Sequence, residues 1–286
     1  MAAGREQFAL RAVRWIIVAV LFCVPLSAIA AQKKSYTLAV IPNKPAVVLH
    51  RNWTPFVEEL SRRVGAQIEL KLYDKIATFL TESEDGIPDF IFSAPNMFYL
   101  AHQKQKYIPL VRSSRKFSGI VFVRKDSPYT SIKDLQGKTI AFVGPKNVCS
   151  VITRQALLTG VGAIDFNASF SGSTANVAKS VLLGKADAGA TLDATIMTDI
   201  PKMAEEFRIL LETEKVASHP LAAHPRLPKK VRDAVTRAVL TMNKSVDGRE
   251  LLKAVKLDHP IKASFNRDYG IFAEVDFQRL DSQSAR

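Results

Sequence analysis

Two cysteines, Cys23 and Cys149, are all that the 286 residues contain, and so small a number excludes a disulfide-built scaffold. No run of five or more basic residues occurs either, although the formal net charge is +13. Lysines and arginines alternate with acids, which argues against a nucleic-acid stripe or a polybasic membrane arm and leaves solubility and the attraction of anions as roles for the charge. The P-loop, the G-x-G-x-x-G fingerprint and the G-x-S-x-G elbow are missing. The five histidines, His50, His102, His219, His224 and His259, lack Cys, His or Asp partners at ligand spacing, so neither a metal nor a cofactor is expected. Long apolar runs are scarce too. The strongest, Trp15 to Leu26, is too short to span a bilayer comfortably.

That run has a different explanation. Arg5, Arg11 and Arg14 form a basic region before it, and Ala28-Ile29-Ala30 offers a small-x-small cleavage site after it. Residues 1–31 therefore read as a signal peptide, with a retained anchor as the competing reading; Phe22 before Cys23 argues against lipoprotein processing. The exported chain keeps only Cys149, in an oxidising compartment, and is expected to be a soluble, periplasmic monomer.

The organising stretch is Thr139-Ile140-Ala141-Phe142-Val143, a β-branched and aromatic run broken by Gly144-Pro145 and followed by Lys146-Asn147-Val148-Cys149-Ser150. It predicts strand, loop and helix start, with Ser150 as the cap of a helix that stops at Gly160. The first amides of such a helix form an anion site.

Before it, Tyr36–Ile41, Ile68–Tyr73 and Asp89–Phe92 alternate with helical stretches, one carrying Trp53, Phe56, Val57, Leu60 and Val64 with Pro55 in its first turn and Gly65 at its end. This βαβαβα order predicts a parallel sheet with helices on both faces. Tyr107–Arg112 and Gly119–Arg124, with no helix between them, read as a crossing into a second lobe. There the plan repeats through Ala168–Phe170, a helix from Thr174, and a strand ending at Asp193; Arg208–Glu212 leads back. Tail helices through Val235, Val239 and Met242 and through Leu251 and Val255 are expected to cover the first lobe.

The fold class is α/β: a two-lobed, periplasmic-binding-protein-like fold, each lobe a mainly parallel sheet flanked by helices. Lobe 1 is expected over residues 32–118 plus 212–286 and lobe 2 over 119–211, with hinges near Ser118 and Leu211. Ligands of open parallel sheets bind beyond the carboxyl ends of the strands. The candidate ligand-binding residues there are Lys44, Tyr73, Ser93, Asn96, Lys146, Asn147, Cys149, Ser150, Ser173, Thr174 and Asp193. Hydroxyls, amides and two cations suit an anion and lack the constellation of a catalyst. Ser93, Ser173 and Asp193 serve equally well as caps of the helices that follow them. Cys149 at a helix start is either a small buried residue or a nucleophile with a lowered pKa.

Several segments resemble the solute-binding proteins of phosphate, phosphite and phosphonate ABC transporters: Asp89–Pro95, Phe122–Pro128, Ser131–Val143, Phe170-Ser171-Gly172-Ser173 and Val181–Ala190. The resemblance implies a clamp that closes over a small anion and delivers it to a membrane permease, without catalysis of its own. The family's anion loop is usually rich in Ser and Thr, where this chain has Asn147-Val148-Cys149-Ser150. His and an acid often follow its Ser-Gly-Ser segment, where Thr174 and Ala175 stand here; the acid at the later strand end is kept as Asp193. Lys146 is therefore expected to supply a positive charge in place of lost hydroxyls. The competing readings are a sensory protein presenting its ligand to a receptor or kinase ectodomain, a Cys149-dependent enzyme or redox protein, and a basic nucleic-acid or membrane-surface binder.

Overall fold

Phe90-Ile91-Phe92, three large apolar residues with nothing polar between them, forms a strand (β3) buried on both faces. It lies inside a six-stranded sheet between β1 (Ser35–Val40), to which it runs parallel, and β12 (Pro220–Ala223), to which it runs antiparallel. Beyond β1 comes β2 (Gln67–Lys71), and beyond β12 come β4 (Ile108–Ser113) and β13 (Pro260–Lys262). The structure, a computed structural model, describes residues 34–160, 162–193 and 200–284; the expected signal peptide, and Cys23 with it, lies outside the described residues.

The second sheet has five strands, in the order β10 (Phe207–Glu212), β6 (Gly119–Arg124), β9 (Ala188–Leu192), β7 (Thr139–Phe142) and β8 (Asn167–Phe170). β7 is parallel to β8 and β9, whereas β6 runs antiparallel to β9 and β10. At Gly189 on β9 an added Cβ would come within 2.6 Å of the Phe122 ring, so only glycine lets strand and ring pack this closely. The molecule is thus a two-lobed α/β protein, with an apolar core around each sheet.

Three sequence expectations shift. The first helix begins at Ala46, so Pro55 stands in its interior; the forfeited hydrogen bond is outweighed by burial of Leu49, Trp53, Phe56, Val57 and Leu60. It ends, as its glycine suggests, at Gly65 in the left-handed region (φ 72°). The stretch read as the crossing, residues 107–112, is a first-sheet strand paired antiparallel with β12. The segments that cross run from Ser114 to Ser118 and from Thr213 to His219, held together by β5 (Lys116–Phe117) against β11 (Val216–Ala217).

The tail also divides. Helices Lys229–Met242 and Val246–Ala254 pack into the first core, but Leu280 of the last helix, Phe277–Ser284, packs into the second. Between them Tyr99 of the first lobe lies flat against both Phe265 and Phe277, with ring centroids 6.0 Å apart in each case.

Candidate functional site

The loop after β7 turns at Gly144-Pro145 and enters the helix Val148–Thr159. Asn147, not Ser150, is its N-cap: the Asn147 Oδ1 accepts from the Cys149 amide at 3.0 Å. Ser150 sits inside the first turn, buried, with its Oγ accepting from the Gly144 amide. From the first lobe the helix Pro95–Gln105 starts opposite this loop, and the Asn96 Nδ2 donates to the Lys146 carbonyl at 3.0 Å. Two helix N-termini, one from each lobe, therefore meet here. The first-turn amides of each helix have no intrahelical acceptor, and both dipoles present their positive ends.

Beside this junction a cavity of about 650 Å³ opens between the lobes. One wall is Ile41, Pro42, Asn43, Ile76, Ala77, Leu80, Ala94 and Met97; the other is Val143 through Val148, with Gly172 and Leu192; His219 of the second crossing lies between. Of the residues expected from the sequence, Lys146 and Asn147 stand in this wall.

The others are engaged elsewhere, each for a visible reason. Lys44 lines a different cavity, built from first-lobe residues only. The Tyr73 hydroxyl donates to Glu82 Oε2 at 2.7 Å; burial first, and then that carboxylate, hold its pKa far above the usual phenol range. Ser93 is buried one residue short of the helix, whose N-cap is Ala94. Ser173 caps its own helix by accepting from the Asn176 amide at 3.2 Å. Thr174 pairs with Thr191, Oγ1 to Oγ1, at 2.9 Å. Asp193 faces the crossing: its Oδ1 accepts from the Ser118 amide at 3.3 Å and its own amide donates back to the Ser118 carbonyl.

Two expectations about chemistry change. The Lys146 ammonium does not face the cavity as an unmatched charge, because it bridges both oxygens of Asp281 at 2.6 and 2.7 Å. The Cys149 thiol is 1% exposed, and burial pushes its pKa well up, the opposite of what a nucleophile needs.

His219 is absent from the ligand-binding residues expected from the sequence, since spacing tests look for metal partners and it has none. Its ring stacks on Phe92 at 5.6 Å, and burial holds its pKa down to about 4, so it offers a neutral imidazole to the cavity. The signal available was its place just beyond Arg208–Glu212, the extended run that leads back to the first lobe. Among the described residues no group of three or more His, Cys, Asp or Glu side chains could hold a metal ion, and no helix is long and apolar enough to cross a membrane.

This geometry, an interlobe cavity at the carboxyl edges of two open sheets, has relatives. A model of the family described as "ABC transporter, phosphonate, periplasmic substrate-binding protein" matches residues 38–269. The chain belongs to this family. Its members are substrate-binding proteins of transport rather than enzymes. Among solved structures, XAC2383 from Xanthomonas citri bound to ATP is similar with a TM-score of 0.74 at 18% identity, over 87% of this chain and 98% of that one. The same protein bound to chloride gives 0.72 at 20% identity, over 87% and 99%. PhnD1 from Prochlorococcus marinus in complex with methylphosphonate gives 0.70 at 17% identity, again over 87% and 99%. At these identities the likeness extends to the fold. No curated protein matches the sequence.

Proposed function

We propose that this phosphonate-family binding protein is the exported capture component of an ABC transporter, which takes a small phosphonate-like anion into the interlobe cavity and presents it to a membrane permease. The observation that carries the reading is the meeting of the two helix N-termini at the Asn96–Lys146 contact, on the rim of a cavity shared by both lobes. Amides at two positive dipole ends supply what an oxyanion needs without any unmatched cation. Asn43, Asn147 and the neutral His219 are the side chains we assign to the anion's remaining oxygens.

Because Asn96 and Lys146 belong to different lobes, their hydrogen bond holds the cavity closed, and release requires the crossings at Ser114–Ser118 and Thr213–His219 to bend. A ligand that binds only the folded chain at a hundredfold excess over Kd stabilises it by about 2.7 kcal/mol. Melting curves of the purified protein with phosphate, phosphite and methylphosphonate test the reading. A concentration-dependent rise in Tm with at least one of them is expected; no shift with any phosphorus oxyanion, short or long-chained, would refute capture of this ligand class.

A further inference from the structure

We infer that a second cavity, at the crossings, binds an organic cation with an apolar body, of the arylalkylamine kind. The site goes beyond the proposed capture of an oxyanion and stands or falls apart from it.

About 500 Å³ opens between three segments: the helix Val148–Thr159 of the second lobe, the crossing chain from Thr213 to Val216, and the tail from Ile271 to Val275. The space shares no lining residue with the interlobe cavity and has the size of a small-molecule site. Its walls are held in place. Gln155 Nε2 donates to the Glu274 carbonyl at 2.9 Å while Gln155 Oε1 accepts from the Asp276 amide at 3.2 Å, which stitches helix to tail. Val216 is fixed by the pairing of β11 with β5.

The lining carries two chemistries. Ile152, Val216 and Phe272 make a buried apolar floor, and Ile271, 38% exposed, stands open beside them. Glu214 from the crossing and Glu274 from the tail are exposed, and neither carboxylate meets a Lys, Arg or His side chain among the described residues. No basic residue lines the cavity, although the chain as a whole carries a net +13. Such a wall repels an anion. Two carboxylates alone do not complete the shell of a metal ion, which also has no use for the apolar floor. An ammonium finds both carboxylates unmatched, and its hydrocarbon body covers Ile271 and the floor. The occupant touches the hinge and the helix whose N-terminus faces the cleft, so it stiffens the crossing it lies against.

Calorimetry on the purified protein with 2-phenylethylamine, 2-phenylethanol and 3-phenylpropionate, similar bodies of different charge, tests the assignment. The amine is expected to bind about fivefold tighter than the alcohol, with a margin that shrinks at high salt, and the carboxylate to bind weakest. In the double variant Glu214→Gln, Glu274→Gln, changed at exposed positions, the amine should fall to the level of the alcohol. Ile271→Ser should weaken both. Hydrogen exchange locates the site: with the amine present, amides of β5, β11 and the helix end before Gly160 should gain protection. Equal binding of amine and alcohol, or an amine affinity unchanged in the double variant, would overturn the cation. Protection gained only in other segments would overturn the place, and no binding by any of the three probes would overturn the site. Success or failure of phosphonate binding between the lobes alters none of these outcomes.

Discussion

Arg112 and Arg154 are both shut away from solvent, 4% and 0% exposed, yet their charges are met in opposite ways. In the first lobe Arg112 Nη2 donates to Asp268 Oδ1 at 2.9 Å, and Arg267 closes on the same carboxylate at 2.7 Å. In the second lobe the Arg154 guanidinium lies 5.5 Å from the Phe170 ring centre and donates to neutral oxygens, the Leu280 carbonyl and Gln283 Oε1. Burial lowers the Arg154 pKa, and the nearby Asp281 partly offsets this. Both arginines grip the same final segment, one at each end. A buried charge met by a carboxylate is costly to unpair, whereas one met by carbonyls is a weaker clasp. The tail is therefore fixed at Asp268 and looser around Leu280, where it carries the Asp281 that holds Lys146.

The contrast breaks most visibly at the strong end. Asp268→Asn leaves Arg112 buried without its counter-charge and is expected to cost about 3–5 kcal/mol, read as a lowered urea midpoint. At the weak end, Arg154→Met removes one of the donors to the Leu280 carbonyl, which keeps Ser284 Oγ, while also relieving a buried charge, so a loss of about 1–3 kcal/mol is expected. Hydrogen exchange separates the two. Amides of Phe277–Ser284 should lose protection in the Arg154 variant while β4 and β13 keep theirs.

Acid sharpens the same comparison. Burial pulls the Asp268 pKa up, but hydrogen bonds from Arg267 and Arg112 outweigh it and hold the carboxyl well below the usual range. With the folded pKa depressed, the unfolded chain takes up the proton first as pH falls. The Asp268 contribution is thus complete above the ordinary carboxylate pKa near 4 and drains away below it. Asp268→Asn should flatten the stability profile there, and Arg154→Met should leave its slope alone. Between about pH 6.5 and 4 the decline belongs to His219, whose folded pKa of about 4 also lets the unfolded chain protonate first, together with His224, which burial lowers in the same direction. Since its ring opens onto the cavity, His219→Gln should remove a pH-dependent loss on the order of 2 kcal/mol.

Much of this architecture was legible from residue order. Phe90–Phe92 and Thr139–Phe142 announce themselves as buried strands, and Val235, Ala238, Val239 and Met242 reach the first core at helical spacing. The crossing was misplaced because Tyr107–Arg112 and the segment that crosses follow each other as extended chain with no helix between them, and only pairing with β12 tells them apart. The Arg154–Leu280 and Lys146–Asp281 contacts join residues well over a hundred positions apart, which no local pattern encodes. The cavity wall was hidden for another reason. Ile76 and Leu80 look like any amphipathic stripe, and which apolar side chains stay half-exposed depends on how the second lobe sits over the helix that bears them.

The smallest effect lies where the loose end of the tail touches the cleft. Lys146 and Asp281 are 40% and 53% exposed, so their pair contributes no more than about 1 kcal/mol, and Asp281→Asn should barely move Tm. Its consequence for binding is larger in kind. With the carboxylate gone, the Lys146 ammonium is free to turn toward an anion at the Asn147 turn, and affinity for methylphosphonate is expected to rise a few-fold, more at low ionic strength than at high. Lys146→Ala, which deletes a charge already matched, should change the same affinity by less than about threefold. If calorimetry instead gave a tenfold or greater loss for Lys146→Ala and no gain for Asp281→Asn, the lysine would be a direct ligand contact, and the tail would have no hold on the cleft.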